Sequence, residues 1–280
     1  MGHHHHHRHG SDDGDSSLAE LLDLDGEVLT DYWADALDWV RQAADGGPRQ
    51  RIVDLGAGTG TGTLRLADRF AEAEVVAVDS SPDMLDRIRA KALAQGLAGR
   101  VRTVQADLDQ PWPDLGTVDV TWASLSLHHL TGPDRVLRDL HAATRPGGLV
   151  AVTEFDGRPR FLTDAVGDGF EERLLGLLHE HDAERLPELG TDWPARLTAA
   201  GFTLVDVRPF VIDLAPAPPS TGRYADLWLR RLGERLSDQL TPADAATLAG
   251  LLDPDGPSSL LRRDDLHVRG TRTVTLAHRP

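Results

Sequence analysis

Four glycines at alternate positions, Gly56, Gly58, Gly60 and Gly62, follow without a gap on the apolar run Ile52-Val53-Asp54-Leu55. A short apolar run closed by glycine reads as a buried strand, and a chain that leaves it through glycine turns tightly and lets a ligand touch backbone. A second such run, Val75-Val76-Ala77-Val78, ends in Asp79, where an acid is placed to bridge the two hydroxyls of a ribose. The pattern of strand, glycine turn, helix, strand and acid predicts a parallel α/β unit built around an adenosine-containing ligand.

A dinucleotide site needs Gly-x-Gly-x-x-Gly, whose third glycine lets the helix pack close to the strand and face its N-terminus to a pyrophosphate. Here the third slot holds Thr61 or Thr63, depending on the register, so the dinucleotide pattern fails. Asp107 closes a third strand-like run, Val101-Arg102-Thr103-Val104-Gln105-Ala106, and thus joins Asp54 and Asp79 at successive strand ends. Three carboxylates would repel a pyrophosphate and attract a phosphate-free cation.

The spacing Asp54-x-Gly56-x-Gly58-x-Gly60, followed by Asp79, Ser80-Ser81-Pro82-Asp83-Met84-Leu85, Asp107-Leu108, Leu127-His128-His129-Leu130 and Arg145-Pro146-Gly147-Gly148, resembles the class I S-adenosylmethionine-dependent methyltransferases. The likeness is to the small-molecule branch akin to quinone biosynthesis and covers about residues 30 to 156. It implies S-adenosyl-L-methionine as cofactor and S-adenosyl-L-homocysteine as product. It implies cofactor contacts at Tyr32, Asp54, Gly56, Ala57, Gly58, Gly60, Asp79, Ser80, Met84, Ala106, Asp107, Leu108 and Ser124. Met84 would pack on the adenine face and Asp107 would accept from the adenine amino group. Trp33, His128, His129 and Phe155 fall where the acceptor would sit.

The fold class expected is α/β, a Rossmann-like doubly wound sheet of seven strands, mostly parallel with the last antiparallel. Core strands are predicted at about 51 to 55, 75 to 79, 101 to 106, 118 to 123 and 148 to 155, with helices starting at Thr61, Pro82 and Pro133. A strand pair at about 202 to 213 and 271 to 278 closes the sheet. Residues 1–17 read as a histidine tag and disordered leader, 18–50 as an N-terminal helical arm, and 51–213 with 270–280 as the core. Helical insertions, about 156–190 (a helix over 161 to 181) and 214–269, form a cap. Tyr32, Trp33, Leu37 and Val40 recur at helical spacing in a pre-core helix over 27 to 44, either stapling it to the sheet or bringing an aromatic to the cofactor. Tyr224, Trp228, Leu232 and Leu236 form an apolar stripe suited to core packing, to a lid or to a homodimer surface.

Methyl transfer from a sulfonium is an in-line displacement with a good leaving group, so positioning and dehydration carry much of the rate and a base is optional. His128 or His129 is placed to serve as one for a hydroxyl acceptor. Asp156 has no matching carboxylates at neighbouring strand ends, so no metal is expected. A formal charge of −16 disfavours nucleic acid as a partner, and no apolar run reaches the length of a membrane span. The absence of cysteine is compatible with a cytoplasmic protein. The partner expected is a small-molecule acceptor, O-, N- or C-methylated; the alternative is a protein of this fold that binds the cofactor and catalyses a non-methylating reaction.

Overall fold

The computed structural model describes residues 9–44 and 50–280; residues 1–8, read from the sequence as tag, lie outside the described residues. Among the described residues seven strands form one sheet: β1 (Arg51–Leu55), β2 (Glu74–Asp79), β3 (Val101–Gln105), β4 (Val118–Ser124), β5 (Thr144–Phe155), β6 (Thr203–Leu214) and β7 (Val268–His278). Their order is β3-β2-β1-β4-β5-β7-β6. The first five run parallel, and β7 lies antiparallel to both β5 and β6. This is the doubly wound sheet expected from the sequence, with its antiparallel last strand.

Side chains alternate across a strand, so the two faces of β1 enter different cores. Ile52 packs with Val120, Trp122, Val75 and Leu149 under α1 (His9–Val28), α2 (Thr30–Ala43) and α3 (Thr61–Arg69). Val53 and Leu55 pack with Val76, Val78 and Val150 under α5 (Pro133–Ala143) and α7 (Trp193–Ala199). Burial on both faces explains why these strands read as unbroken apolar runs. Ile88 of α4 (Pro82–Ala94) and Leu137 of α5 are fully buried, and cutting either to alanine would cost about 2–5 kcal/mol.

The helix starts follow local chemistry. Ser81 caps α4 by accepting from the Met84 amide at 3.4 Å with Pro82 in the first turn, and Asp192 caps α7 by accepting from the Ala195 amide at 3.0 Å. The remaining helices, α6 (Phe170–Arg185), α8 (Thr221–Arg235) and α9 (Pro242–Leu252), belong to the two insertions.

Three expectations need correction. The leader read as disordered is helical from His9, because α1 packs Leu21, Leu24 and Val28 into the core and a helix once nucleated extends cheaply into polar residues. The single pre-core helix over 27 to 44 is two helices broken at Leu29. The helix predicted over 161 to 181 starts only at Phe170, because Gly167 and Gly169 adopt left-handed conformations (φ 57° and 81°) that stop any earlier start.

The strand order reverses between β1 and β4, with β2 on the other side of β1. A crevice opens at such a reversal beyond the carboxyl ends of the strands, and it is there that Gly56, Asp79, Ser124 and Phe155 emerge.

Candidate active site

The crevice is a cavity of about 560 Å³, roofed by α1 and α8. That volume is ordinary for a small-molecule site, roughly 300–1,000 Å³.

The glycine loop forms its floor. The Gly56 and Ala57 amides donate to the Val78 carbonyl at 2.8 and 3.0 Å, which binds the end of β1 to the end of β2. Gly56 and Gly60 have φ of +68° and +88°, and a Cβ there would stand 2.3 Å from Ser126 Cβ and 2.7 Å from Ile88 Cγ1. Both positions therefore require glycine twice over, for backbone and for space. The Asp79 carboxylate accepts from the Gly58 amide at 2.8 Å and from the Ser81 amide at 2.9 Å, so one acid joins the loop to the start of α4.

Asp54 sits on the β1 face that points to α3, beside Trp122 of β4, and is 2 % exposed. Its Oδ2 accepts from the Thr63 hydroxyl at 2.7 Å. Burial pushes its carboxyl up to about 7, and the charge of Asp79 adds to the rise while the Thr63 hydrogen bond opposes it. No lysine or arginine among the described residues lines the cavity, whereas Asp25, Asp54, Asp79, Asp107 and Asp109 do. Buried polar atoms of four wall residues, Thr59 Oγ1, Trp33 Nε1, Trp122 Nε1 and Trp228 Nε1, have no hydrogen-bond partner among the described residues. Groups of this kind call for a partner from a ligand or water.

The sequence-predicted residues divide cleanly by position. Asp54, Gly56, Ala57, Gly58, Asp79, Ser80, Met84, Ala106, Asp107, Leu108 and Ser124 all line the cavity, as do Trp33, His129 and Phe155. Gly60 lies just behind the wall at the start of α3. Tyr32 does not line the cavity: its hydroxyl pairs with Thr153 Oγ1 at 2.9 Å, and the Arg272 guanidinium covers its ring at 4.8 Å. His128 is buried behind the wall, with Nδ1 2.6 Å from Glu154 Oε2 and its ring 4.2 Å from that of His129.

His129 is open to the cavity mouth, yet the protein against its ring desolvates it, and with the charges of His128, Arg158 and Arg235 this holds its imidazole down at about 4. It is neutral at pH 7, an acceptor of hydrogen bonds and a weak base.

Of the opposite wall, the sequence offered the α8 stripe as one of its possible lids, but the α1 face was missed. Leu18, Leu21, Leu22 and Asp25 of α1 line the cavity, together with Tyr224 and Trp228 of α8. The signal was present: positions 18, 21, 22 and 25 follow the i, i+3, i+4, i+7 spacing of one helical face.

Comparison with known proteins bears on this arrangement. Residues 52–148, from β1 to the turn inside β5, match a family model described as a methyltransferase domain. The chain is 35 % identical over 206 residues, 68 % of its length, to the demethylmenaquinone methyltransferase of Thermus thermophilus, of which it covers 91 %. The chain belongs to the class I S-adenosylmethionine-dependent methyltransferases. It is also 38 % identical over 127 residues, 44 % of its length, to the malonyl-[acyl-carrier protein] O-methyltransferase of Laribacter hongkongensis, of which it covers 41 %. It spans about half the length of several other curated relatives it matches. Among solved structures, a phosphoethanolamine N-methyltransferase of Haemonchus contortus in complex with S-adenosyl-L-methionine has the same fold, with a TM-score of 0.52 at 19 % identity, covering 89 % of this chain and 53 % of that one. No helix among the described residues is long and apolar enough to cross a membrane.

Proposed function

We propose that this methyltransferase transfers a methyl group from S-adenosyl-L-methionine to a small, largely apolar acceptor held at the aromatic end of the cavity. The observation that carries the reading is the glycine loop tied to Asp79 beside a buried Asp54, in a wall whose described residues include five acids and no lysine or arginine. Such a wall fits a cationic, phosphate-free nucleoside and disfavours a pyrophosphate. When bound, the cofactor supplies an electrophilic methyl group on sulfur.

Asp79 has both oxygens engaged by amides, but a carboxylate has about four acceptor positions, so it retains capacity for the two ribose hydroxyls. Asp54 would hold the cofactor's ammonium in its charged form, since a nearby cation favours the ionised carboxylate. Met84 and Leu108, which line the cavity, would flank the adenine, and Asp107 with the Ala106–Leu108 backbone would hold its edge. The unpartnered Thr59 hydroxyl and indole groups of Trp33 and Trp122 provide polar contacts. Trp33, Phe155, His129, Tyr224 and Trp228 enclose the acceptor and exclude water from the transfer. His129, neutral and weakly basic, accepts a hydrogen bond from the acceptor and orients it; His128, with Glu154 behind it, sets the plane of the His129 ring. Tyr32, through Thr153, supports the wall from behind. Its place of action is read as the cytoplasm, in keeping with a sequence that has no cysteine.

The test is incubation with methyl-labelled S-adenosyl-L-methionine and a panel of phenols, amines and enolisable ketones. The reading expects labelled product and S-adenosyl-L-homocysteine in equal amounts with at least one class. Tight cofactor binding with no transfer to any class would favour the non-methylating alternative.

A further inference from the structure

α1 and α8 come from distant parts of the chain, yet together they roof the cavity, and they are joined between Ser17 and Glu27 of α1. On the cofactor side α1 meets the glycine loop. Leu22 Cδ1 would lie 3.1 Å from a Cβ on Gly58, Asp23 pairs with Lys91 at 2.5 Å, and the same Lys91 Nζ donates to the Thr59 carbonyl at 2.9 Å. The Gly26 carbonyl, in the last turn of α1, accepts from Arg65 of α3 at 2.8 Å. On the acceptor side α8 contributes Tyr224 and Trp228, two residues one turn apart that complete the aromatic wall.

Asp25 lies between these two sets of contacts. Its Oδ1 accepts from the Tyr224 hydroxyl at 2.8 Å, and both of its oxygens accept from Arg272 of β7, whose side chain is 2 % exposed. Of the other ties between the helices, Glu20 to Arg223 and Glu27 to Ser220 are exposed, where solvent weakens them, and Ser17 to Arg231 joins two hydrogen-bonding side chains without a carboxylate. A half-buried carboxylate that serves two buried partners at once, the Arg272 guanidinium and the Tyr224 phenol, behaves differently. Lifting α1 strips Arg272 of its counter-ion and leaves the Tyr224 hydroxyl without its acceptor, so neither helix moves far without the other.

We infer that Asp25 is a positioning residue that makes α1 and α8 one cover, so that filling the cofactor half of the cavity also builds the acceptor wall. The inference rests on the cofactor reading above and adds an order of events to it. With the cavity empty, the cover opens as a unit and Tyr224 and Trp228 leave the acceptor position. With the nucleoside bound beneath Leu18, Leu21 and Leu22, α1 is held down, and through Asp25 so is α8. The acceptor then finds its wall only after the cofactor has arrived.

Amide hydrogen exchange on the full chain, with S-adenosyl-L-homocysteine as the probe, reads both helices at once. At one hundred times the dissociation constant, an opening that requires release of the ligand slows about a hundredfold. The wild type should show this slowing in residues 18–28 and again in 221–235. Tyr224→Phe keeps the ring, which packs edge-on against Phe161 at 5.0 Å, and removes only the hydroxyl. In that variant the slowing should persist in α1 and fall at least tenfold in α8. Asp25→Asn, which removes the charge, should uncouple the helices in the same way, with circular dichroism melts confirming that each variant is folded. Wild-type α8 exchange that ignores the ligand, or an unchanged α8 response in folded Tyr224→Phe, overturns the inference. Calorimetry that detects no binding of S-adenosyl-L-homocysteine overturns the cofactor reading itself, and this inference with it.

Discussion

Asp54 offers a prediction that can be worked through from its surroundings. Its carboxyl is 2 % exposed and has the Thr63 hydroxyl as partner, and in the empty protein burial pushes it up to about 7. The ionised form is the one that attracts an ammonium. It makes up about a tenth of the population at pH 6, half at pH 7 and nine-tenths at pH 8. If only that form binds well, the affinity for S-adenosyl-L-homocysteine should weaken about tenfold from pH 8 to pH 6, roughly 1.4 kcal/mol. His129, held at about 4, stays neutral across that window and does not add to the slope. The measurement is calorimetric titration at pH 6, 7 and 8 with wild type and Asp54→Asn. The variant should bind more weakly at pH 8 and lose the slope that wild type shows. The same shift sets a stability effect of opposite benefit. A carboxyl whose folded pKa lies above its unfolded value of about 3.9 stabilises the fold fully below that value, and the contribution is lost as pH rises through 7, up to about 4 kcal/mol for this group. The empty Asp54→Asn protein should therefore melt above wild type at pH 8 and close to it near pH 4. A wild-type affinity that does not vary between pH 6 and pH 8, or an Asn variant that keeps the slope, would refute the reasoning.

Further outcomes follow from other residues of the site. Gly56→Ala forces a side chain into Ser126 at a left-handed backbone position, and should lower the melting temperature and abolish measurable nucleoside binding in the same calorimeter. Asp79→Ala should cost about 1–3 kcal/mol of nucleoside affinity, and because the Gly58 and Ser81 amides lose their acceptor, its empty form should also melt lower. His129→Ala, assayed for turnover from pH 6 to 9 with whichever acceptor the panel yields, should reduce the rate by less than about tenfold and leave the shape of the pH profile unchanged; a larger loss confined to high pH would assign His129 as a base after all.

Much of this was readable in the sequence because it depends on neighbours along the chain. Glycine at positive φ, Ser81 before Pro82, and the apolar runs that carry Asp54 and Asp79 are local signals, and the mostly parallel sheet follows from the alternation of strand and helix. What escaped was decided by distant packing. The Asp-rich start of α1 reads as a polar leader, and only its contact with α8, some two hundred residues further on, makes a wall of Leu18, Leu21 and Leu22. Asp25 and Arg272 are unremarkable charges until the fold brings α1 and β7 together at the cavity wall. Tyr32 and His128 illustrate the reverse: their residue types and positions suit a site, yet each turns its polar atom to a partner behind the wall, Thr153 and Glu154. Sequence periodicity places a side chain on a face but does not say which neighbour takes its hydrogen bond.

The most direct test of the account is a crystal structure of the chain grown with S-adenosyl-L-homocysteine. It should place both ribose hydroxyls on the Asp79 carboxylate, the ammonium beside Asp54, and the sulfur facing the space between Phe155, His129 and Tyr224. Density for the nucleoside elsewhere, or a ribose turned away from Asp79, would contradict it.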